Sequence, residues 1–170
     1  MDKRFFLGCT TYKGFYGFYD KIIEYYDLQK LYILKGGSGV GKSTFMKKFA
    51  AQFKGEDIDY IHCANDPDTI DGVVIIGRKI GMVDGTAPHT IDVKYPGVID
   101  ETIDLGKFII PAKVKADKAA IDRINRLKQK HYKNAQRSLL LARRAHIRIE
   151  EFYRGAVDFE KMKKVLPPKC

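Results

Sequence analysis

Residues 36–44 read Gly36-Gly37-Ser38-Gly39-Val40-Gly41-Lys42-Ser43-Thr44, and the first eight match G-x-x-x-x-G-K-[ST] at every fixed position. Glycines permit the backbone conformations that turn successive N–H groups toward a phosphate. A helix that starts at Lys42 adds the positive end of its dipole. We expect Lys42 to reach the β- and γ-phosphates and the Ser43 hydroxyl to bind Mg²⁺. Residues 36–44 are therefore predicted to bind a nucleoside triphosphate.

The residues on both sides of this loop have the pattern that the motif requires. Residues 31–35 are a short β-prone run, which predicts a buried strand. Residues 43–53 place apolar side chains on one side and lysines on the other, which predicts an amphipathic helix. The alternative is a glycine-rich turn that carries Lys-Ser by chance, and the flanking pattern argues against it.

A phosphate-binding loop of this kind needs a carboxylate at the end of a neighbouring buried strand to orient the metal. Asp84 closes a predicted strand over residues 80–83 and is our first candidate. The acids of residues 66–71, which follow a predicted strand over 58–63, are competitors if the strands are parallel. Each of these acids is also explained as an ordinary turn or capping residue.

His89 follows Asp84 closely, on a loop expected at the carboxyl ends of the strands, where α/β sheets bind ligands. It is a candidate to sense the γ-phosphate, to position the attacking water or to bind substrate. The alternative is a solvated loop histidine. We take Lys42, Asp84 and His89 as the candidate catalytic residues, and Ser43 with Asp84 as the candidate metal ligands.

The remaining core elements are less certain from pattern alone. Helical spacing of apolar residues predicts a helix over 15–26 and a short one over 98–105, with a loop over 87–97. Residues 73–76 fit either an edge strand or a connector. The pattern thus predicts an α/β fold with an incomplete parallel sheet of the P-loop NTPase type, because it provides only three core strands.

Aromatic residues are concentrated at the N-terminus, where 10 of the 20 lie in the first 32 residues. Tyr12, Phe15 and Tyr16 are candidates to stack on a nucleobase. Packing of the predicted helix on the sheet explains most of these aromatics equally well.

The C-terminal third is helical and strongly basic. An apolar stripe at steps of three and four residues predicts one helix over about 114–153, with a stop at Gly155 and a second helix capped by Asp158 that ends at Pro167-Pro168. Such a long helix is expected to project as an arm. We therefore divide the chain into a nucleotide-binding core (1–111) and a basic helical arm or truncated helical hairpin (112–170).

Charge follows the same division. Residues 1–111 carry 14 Lys and Arg against 15 Asp and Glu, whereas residues 112–170 carry 17 against 6. A basic surface of this kind fits an acidic protein partner or an acidic segment of a longer chain. Nucleic acid is a less favoured partner, because no aromatic side chains are interleaved for base stacking.

Composition excludes several classes of protein. No run of about 18 uncharged apolar residues occurs, so a membrane-spanning helix is not expected, and the N-terminal apolar run is too short for a secretory signal. The three cysteines are far apart and fit neither a disulfide framework nor a zinc ribbon. These features predict a cytoplasmic chain.

Five segments together resemble a group of bacterial P-loop ATP-binding proteins that consist of two fused P-loop halves with a helical insertion in the first. They are LKGGSGVGKSTFMKK (34–48), HCANDPDTIDGV (62–73), VDGTAPH (83–89), KYPG (94–97) and IDLG (103–106). The resemblance covers residues 5–165 and implies ATP binding at 36–44 and a special loop at 84–89. Because the chain stops inside the insertion, we expect a truncated product or a fragment that relies on missing sequence.

These observations lead to three functional hypotheses. The first is a P-loop NTPase domain that hydrolyses ATP with Mg²⁺ and moves the arm, with His89 or Asp66 meeting the γ-phosphate. The second is a small-molecule kinase, in which the loop over 66–71 and His89 hold an acceptor hydroxyl in line with that phosphate. The third is a non-catalytic nucleotide-dependent binding module.

Overall fold

The computed structural model describes residues 2–165 and shows an α/β protein with a mixed six-stranded sheet, a two-stranded hairpin and a long helix. The strands are β1 (Lys3–Phe6), β2 (Gly8–Thr11), β3 (Gly14–Gly17), β4 (Lys30–Lys35), β5 (Ile58–His62), β6 (Ile70–Ile75), β7 (Ile80–Asp84) and β8 (Asp100–Asp104). The helices are α1 (Ile22–Tyr26), α2 (Lys42–Ala51), α3 (Pro111–Ala116), α4 (Lys118–Ala156) and α5 (Phe159–Lys163).

The main sheet has the strand order β1-β5-β6-β7-β4-β8, and all of its strands except β6 run in the same direction. The prediction of an incomplete parallel sheet with three core strands is therefore wrong in strand number and in direction. Residues 73–75 belong to β6, which is an interior strand buried along its whole length. Because β6 is antiparallel, its first residues lie at the same edge of the sheet as the last residues of β4, β5 and β7.

Both faces of this sheet are covered, and alternation along β4 shows how. Leu31 and Ile33 belong to one buried cluster, together with residues of α1 and of the segment that follows it. Leu34 belongs to a second cluster, which contains Met46 and Ala50 of α2. Alternate residues of a strand point to opposite faces, so the strand before the glycine loop and the helix after it are both fixed by packing.

The predicted helix over 15–26 is wrong in its first half. Residues 14–17 form β3, which pairs with β2 in the hairpin, and helical structure begins with a 3-10 turn at Tyr19. Gly8 and Gly17 lie opposite each other in this hairpin, and a Cβ atom on Gly8 would lie 2.4 Å from Phe15 Cζ. The two glycines thus leave room for the Phe15 ring, a tertiary contact that overrides the helical spacing.

The predicted helix over 98–105 is also wrong, because residues 100–104 form the edge strand β8, parallel to β4. Asp100 is buried, and its carboxylate accepts hydrogen bonds from the N–H groups of Lys94 (2.5 Å) and Tyr95 (2.9 Å). These bonds fasten the segment 87–97, whose predicted loop structure is confirmed apart from an isolated bridge at Pro96.

The long C-terminal helix is confirmed, with different ends. α4 contains 39 residues and follows α3 after a break at Asp117. The predicted stop at Gly155 is wrong, since α4 continues to Ala156, whereas Asp158 caps α5 as predicted by accepting from the Lys161 N–H group. Residues 166–170, which include the predicted stop at Pro167-Pro168, lie outside the described residues.

Part of α4 lies over the sheet edge instead of projecting freely. The Arg143 guanidinium is 5.1 Å from the ring centroid of Tyr12, in the turn between β2 and β3. Arg143 lies in the C-terminal half of α4, and α4 also contacts β2, so this part of the helix lies against the β2–β3 hairpin. No helix within residues 2–165 has both the length and the apolar character needed to cross a membrane.

Candidate functional site

The glycine loop lies where the sequence predicted, between the end of β4 and the start of α2. Gly36, Gly39 and Gly41 adopt φ angles of 140°, 82° and 92°, which residues with a side chain rarely adopt. Val40 packs against the core below the loop, whereas Gly37 and Ser38 are exposed. The loop backbone is therefore fixed by the core on one side and open on the other.

The Lys42 ammonium lies inside the curve of this loop. It donates to the backbone oxygens of Gly36 (2.7 Å) and Gly37 (3.0 Å) and lies 3.6 Å from the Asp84 carboxylate. Its side chain is only 10% exposed, which strengthens these interactions because water screens them poorly. Lys42, at the start of α2, and Asp84, at the end of β7, are thus neighbours.

The Ser43 hydroxyl oxygen accepts a hydrogen bond of 3.1 Å from the backbone N–H of Ile70, the first residue of β6. This bond ties the start of α2 to the neighbouring strand. A hydroxyl oxygen has two lone pairs, so one remains to ligate a cation. Thr44 follows in the first turn of α2 and is exposed.

Asp84 ends β7 and begins a loop that is tied to β4 at several points. Its carboxylate accepts from the Thr86 N–H group (2.8 Å), and the Thr86 hydroxyl donates to the Gly36 oxygen (3.2 Å). The Gly85 N–H group donates to the Leu34 oxygen, and a Cβ atom on Gly85 would lie 2.3 Å from Ile33 Cγ2. Only glycine therefore fits at position 85, and the loop 84–89 is held against the phosphate-binding loop.

Asp71 lies beside Asp84 at the same edge of the sheet. The β6–β7 register pairs Gly72 with Val83, so one step further sets Asp71 opposite Asp84. Asp71 is buried, and burial raises the pKa of its carboxyl, as does the charge of Asp84, while His89 opposes the rise. Two carboxylates at facing positions repel each other, which favours a shared proton or a nearby cation.

His89 is a buried residue and not the solvated loop histidine of the alternative. Its Nε2 atom is 3.4 Å from the Asp71 carboxylate, and its ring stacks on Tyr19 at a centroid distance of 4.9 Å. Among the described residues, its Nδ1 atom is buried without a hydrogen-bond partner. Asp71 and His89 therefore form a buried acid–imidazole pair behind the phosphate-binding loop.

Two sets of side chains have suitable donors for a metal ion. Ser43 and Asp84 offer oxygen atoms next to the loop, which suits Mg²⁺. Asp71, Asp84 and His89 bring one ligand atom each within 4.8 Å of one another, a mixed oxygen and nitrogen set that suits Mn²⁺, Fe²⁺ or Zn²⁺ better. Asp84 belongs to both sets and already faces the Lys42 ammonium.

A cavity of about 540 Å³ is lined by Lys42, Asp71, Asp84 and His89, whereas Ser43 is not part of its wall. Its walls come from the glycine loop, the residues that follow β5, the start of β6, the end of β7 with the loop after it, the hairpin, and one face of α4. They include Ser38, Lys42, Cys63, Asp71, Asp84, His89, Lys128, Gln129, Tyr132 and Gln136. The contribution of α4 was not predicted, because the position of a helix over a sheet edge is a tertiary property that leaves no signal in local sequence.

Other predicted residues lie outside this arrangement. Asp66 and Asp68 are exposed, and the Asp66 backbone oxygen accepts from Thr69, as in an ordinary turn. Of the three competing acids, Asp71 alone lines the cavity. Phe15 lines it as well, whereas Tyr16 is exposed and packs edge-on against Phe18.

The raised pKa of Asp71 leads to a testable pH dependence. A carboxyl whose pKa is higher in the folded state binds more protons there, so the free energy of unfolding falls as pH rises above the ordinary aspartate value of about 3.9. Asp71→Asn removes the titrating carboxyl and therefore this decrease in the free energy of unfolding. We expect the stability of the variant relative to the unmodified chain, measured by urea denaturation, to increase as pH rises from about 4 toward neutrality. Asp68→Asn is the exposed control, and a difference that does not change with pH would contradict the assignment.

No protein-family model, curated protein or solved structure matches this chain. The resemblance to two-half P-loop proteins therefore stays a prediction.

Proposed function

We propose that this chain binds ATP with Mg²⁺ through residues 36–44 and hydrolyses it slowly, as a P-loop NTPase domain of the cytoplasm. One observation carries the proposal. The Lys42 ammonium lies in the curve of a glycine loop between a buried strand and a helix, 3.6 Å from Asp84 and on the wall of a 540 Å³ cavity. A triphosphate tail needs this combination of backbone N–H groups, a lysine and a nearby carboxylate.

The roles of the side chains follow from their positions. Lys42 would exchange its bonds to the Gly36 and Gly37 oxygens for bonds to phosphate oxygens. Ser43 and Asp84 would hold Mg²⁺, which neutralises phosphate charge as a Lewis acid. His89, supported by Asp71 at 3.4 Å, would orient the attacking water and receive its proton.

A small-molecule kinase is the second candidate. The cavity extends from Lys42 past Asp71 and His89 to the polar face of α4, which leaves room for an acceptor beyond the γ-phosphate. In that case the Asp71–His89 pair would bind the acceptor hydroxyl instead of water. The third candidate is a binding module without turnover.

Turnover measurements separate the three candidates. We expect phosphate release from ATP and Mg²⁺ without any acceptor, and no further gain from a panel of sugars, nucleosides and other hydroxyl compounds. ADP formation that depends on one of these acceptors would instead support the kinase. Tight ATP binding with neither reaction would support the binding module.

We also propose an acidic protein partner for the basic region 112–170. The region contains 17 Lys and Arg against 6 Asp and Glu, and its helices α3, α4 and α5 have no buried residues. Binding to a nucleic acid would instead appear as salt-dependent retention of DNA or RNA.

A further inference from the structure

One face of α4 is turned toward the phosphate-binding loop. Lys128, Gln129, Tyr132 and Gln136 all line the cavity that Ser38 and Lys42 border. Their spacing of one, four and eight residues places them on one side of a helix. The wall opposite the loop is therefore made of polar side chains that donate hydrogen bonds.

Among the four α4 side chains of this wall, Lys128 is the one that carries a positive charge. It is exposed, and among the described residues no carboxylate lies within ion-pair distance of it. Lys42, by contrast, is held by two loop oxygens and by Asp84. An uncommitted cation that faces a phosphate-binding loop is available for a ligand anion.

The cavity carries negative charge that a further cation on the α4 wall would help to offset. Asp71 and Asp84 both line it, and a triphosphate would add more negative charge close to these carboxylates. On the loop side, Lys42 and the Mg²⁺ proposed at Ser43 and Asp84 would offset part of this charge. A terminal phosphate that extends out of the loop would therefore be stabilised by an ammonium on the opposite wall.

We infer that Lys128 binds the γ-phosphate from the side of α4 and makes the site distinguish ATP from ADP. This inference rests on the proposed function and adds a residue to it. Lys42 would bind the β-phosphate, which both nucleotides have, as well as the γ-phosphate, whereas Lys128 would contact only the γ-phosphate.

The same contact would link the nucleotide to α4. α4 does not pack closely on the residues that follow β5. A second cavity of about 560 Å³ separates Ala64 and Asn65 from the face of α4 that carries Tyr132 and Leu139. The Arg143–Tyr12 contact lies fifteen residues beyond Lys128. A γ-phosphate would hold α4 against the loop, and its loss on hydrolysis would release the helix.

The test compares two nucleotides on matched variants of the full chain. Calorimetry gives the dissociation constants of ADP and of the non-hydrolysable triphosphate AMP-PNP, both with Mg²⁺. For Lys128→Ala we expect triphosphate affinity to fall about tenfold and ADP affinity to change less than about twofold. Lys130→Ala is the control, because Lys130 is exposed on α4 and is not part of the cavity wall. Lys128→Arg should keep most of the affinity.

Each outcome is informative. Equal affinities of Lys128→Ala and Lys130→Ala for the triphosphate, or equal losses for both nucleotides, would overturn the role of Lys128 and leave the proposed function intact. Failure of the unmodified chain to bind either nucleotide would overturn the proposed function itself. Hydrogen exchange gives a second readout: we expect more protection around residues 125–136 with AMP-PNP than with ADP, and equal protection would contradict the link to α4.

Discussion

Replacing Lys42 with alanine is expected to weaken ATP binding by about a hundredfold or more, as measured by calorimetry with Mg²⁺. The ammonium would make at least two charge-assisted hydrogen bonds to phosphate oxygens, each worth about 1.5–3 kcal/mol, and about 1.4 kcal/mol is a tenfold change in affinity. The low exposure of the side chain, 10%, places this effect at the upper end for a single lysine.

Lys48→Ala is the matched control for this variant, because Lys48 is an exposed lysine of the same helix. Thermal unfolding of both variants should be recorded, since Lys42 also bonds to the Gly36 and Gly37 oxygens. An ATP affinity of Lys42→Ala within about threefold of the unmodified chain would contradict the assignment of the loop.

Asp84→Asn is expected to abolish the effect of Mg²⁺ and to lower ATP turnover about a thousandfold, since a correctly held metal contributes several kcal/mol of charge stabilisation. Asparagine keeps an oxygen that can accept from the Thr86 N–H group (2.8 Å in the unmodified chain), so the loop should persist. Binding of ATP in EDTA should be unchanged or tighter, because a negative charge next to the phosphates is gone.

The matched control for Asp84→Asn is Asp68→Asn, an exposed acid of a neighbouring loop. Turnover and ATP affinity are measured as functions of Mg²⁺ concentration for both variants. If Asp84→Asn retains the metal dependence of the unmodified chain, Asp84 does not hold the metal. Asp71 and His89, which lie within ligand distance of Asp84, then become the residues to test.

The local parts of this architecture could be predicted from the sequence, because their causes are local. The glycine loop specifies its own backbone, and the apolar runs on either side of it fix β4 and α2. The predicted strands over 58–63 and 80–83 agree with β5 and β7 to within a residue or so. His89 and Asp84 lie together on the cavity wall, as the order of the chain suggested.

The missed elements have weak or misleading local patterns, and β8 also depends on β4, a partner distant in sequence. β8 contains two aspartates and a glutamate and exposes much of its surface, which is compatible with an edge strand but gives no strong pattern. β3 depends on the glycines of the hairpin that admit the Phe15 ring. β6 was ambiguous because a short buried run has no periodicity of its own.

The candidate site was incompletely predicted for the same reason. The sequence offered Asp66, Asp68 and Asp71 as equivalent candidates for the site. Only Asp71 lies at the start of β6, and the antiparallel direction of β6, which strand pairing reveals, places it beside Asp84. The face of α4 around Lys128 could not be predicted as part of the site, because its polar residues are spaced as on any solvated helix. The local sequence was enough to predict the phosphate-binding loop, whereas the α4 wall that faces it became apparent only from the tertiary structure.

The most direct measurement of the central claim is a competition experiment on the full chain with a fluorescent ATP analogue and Mg²⁺. The claim is that residues 36–44 bind the triphosphate group of the nucleotide and that this binding does not require the base. We therefore expect inorganic tripolyphosphate to displace the analogue and adenosine to have no effect. Displacement by adenosine but not by tripolyphosphate, or no binding of the analogue at all, would contradict the account.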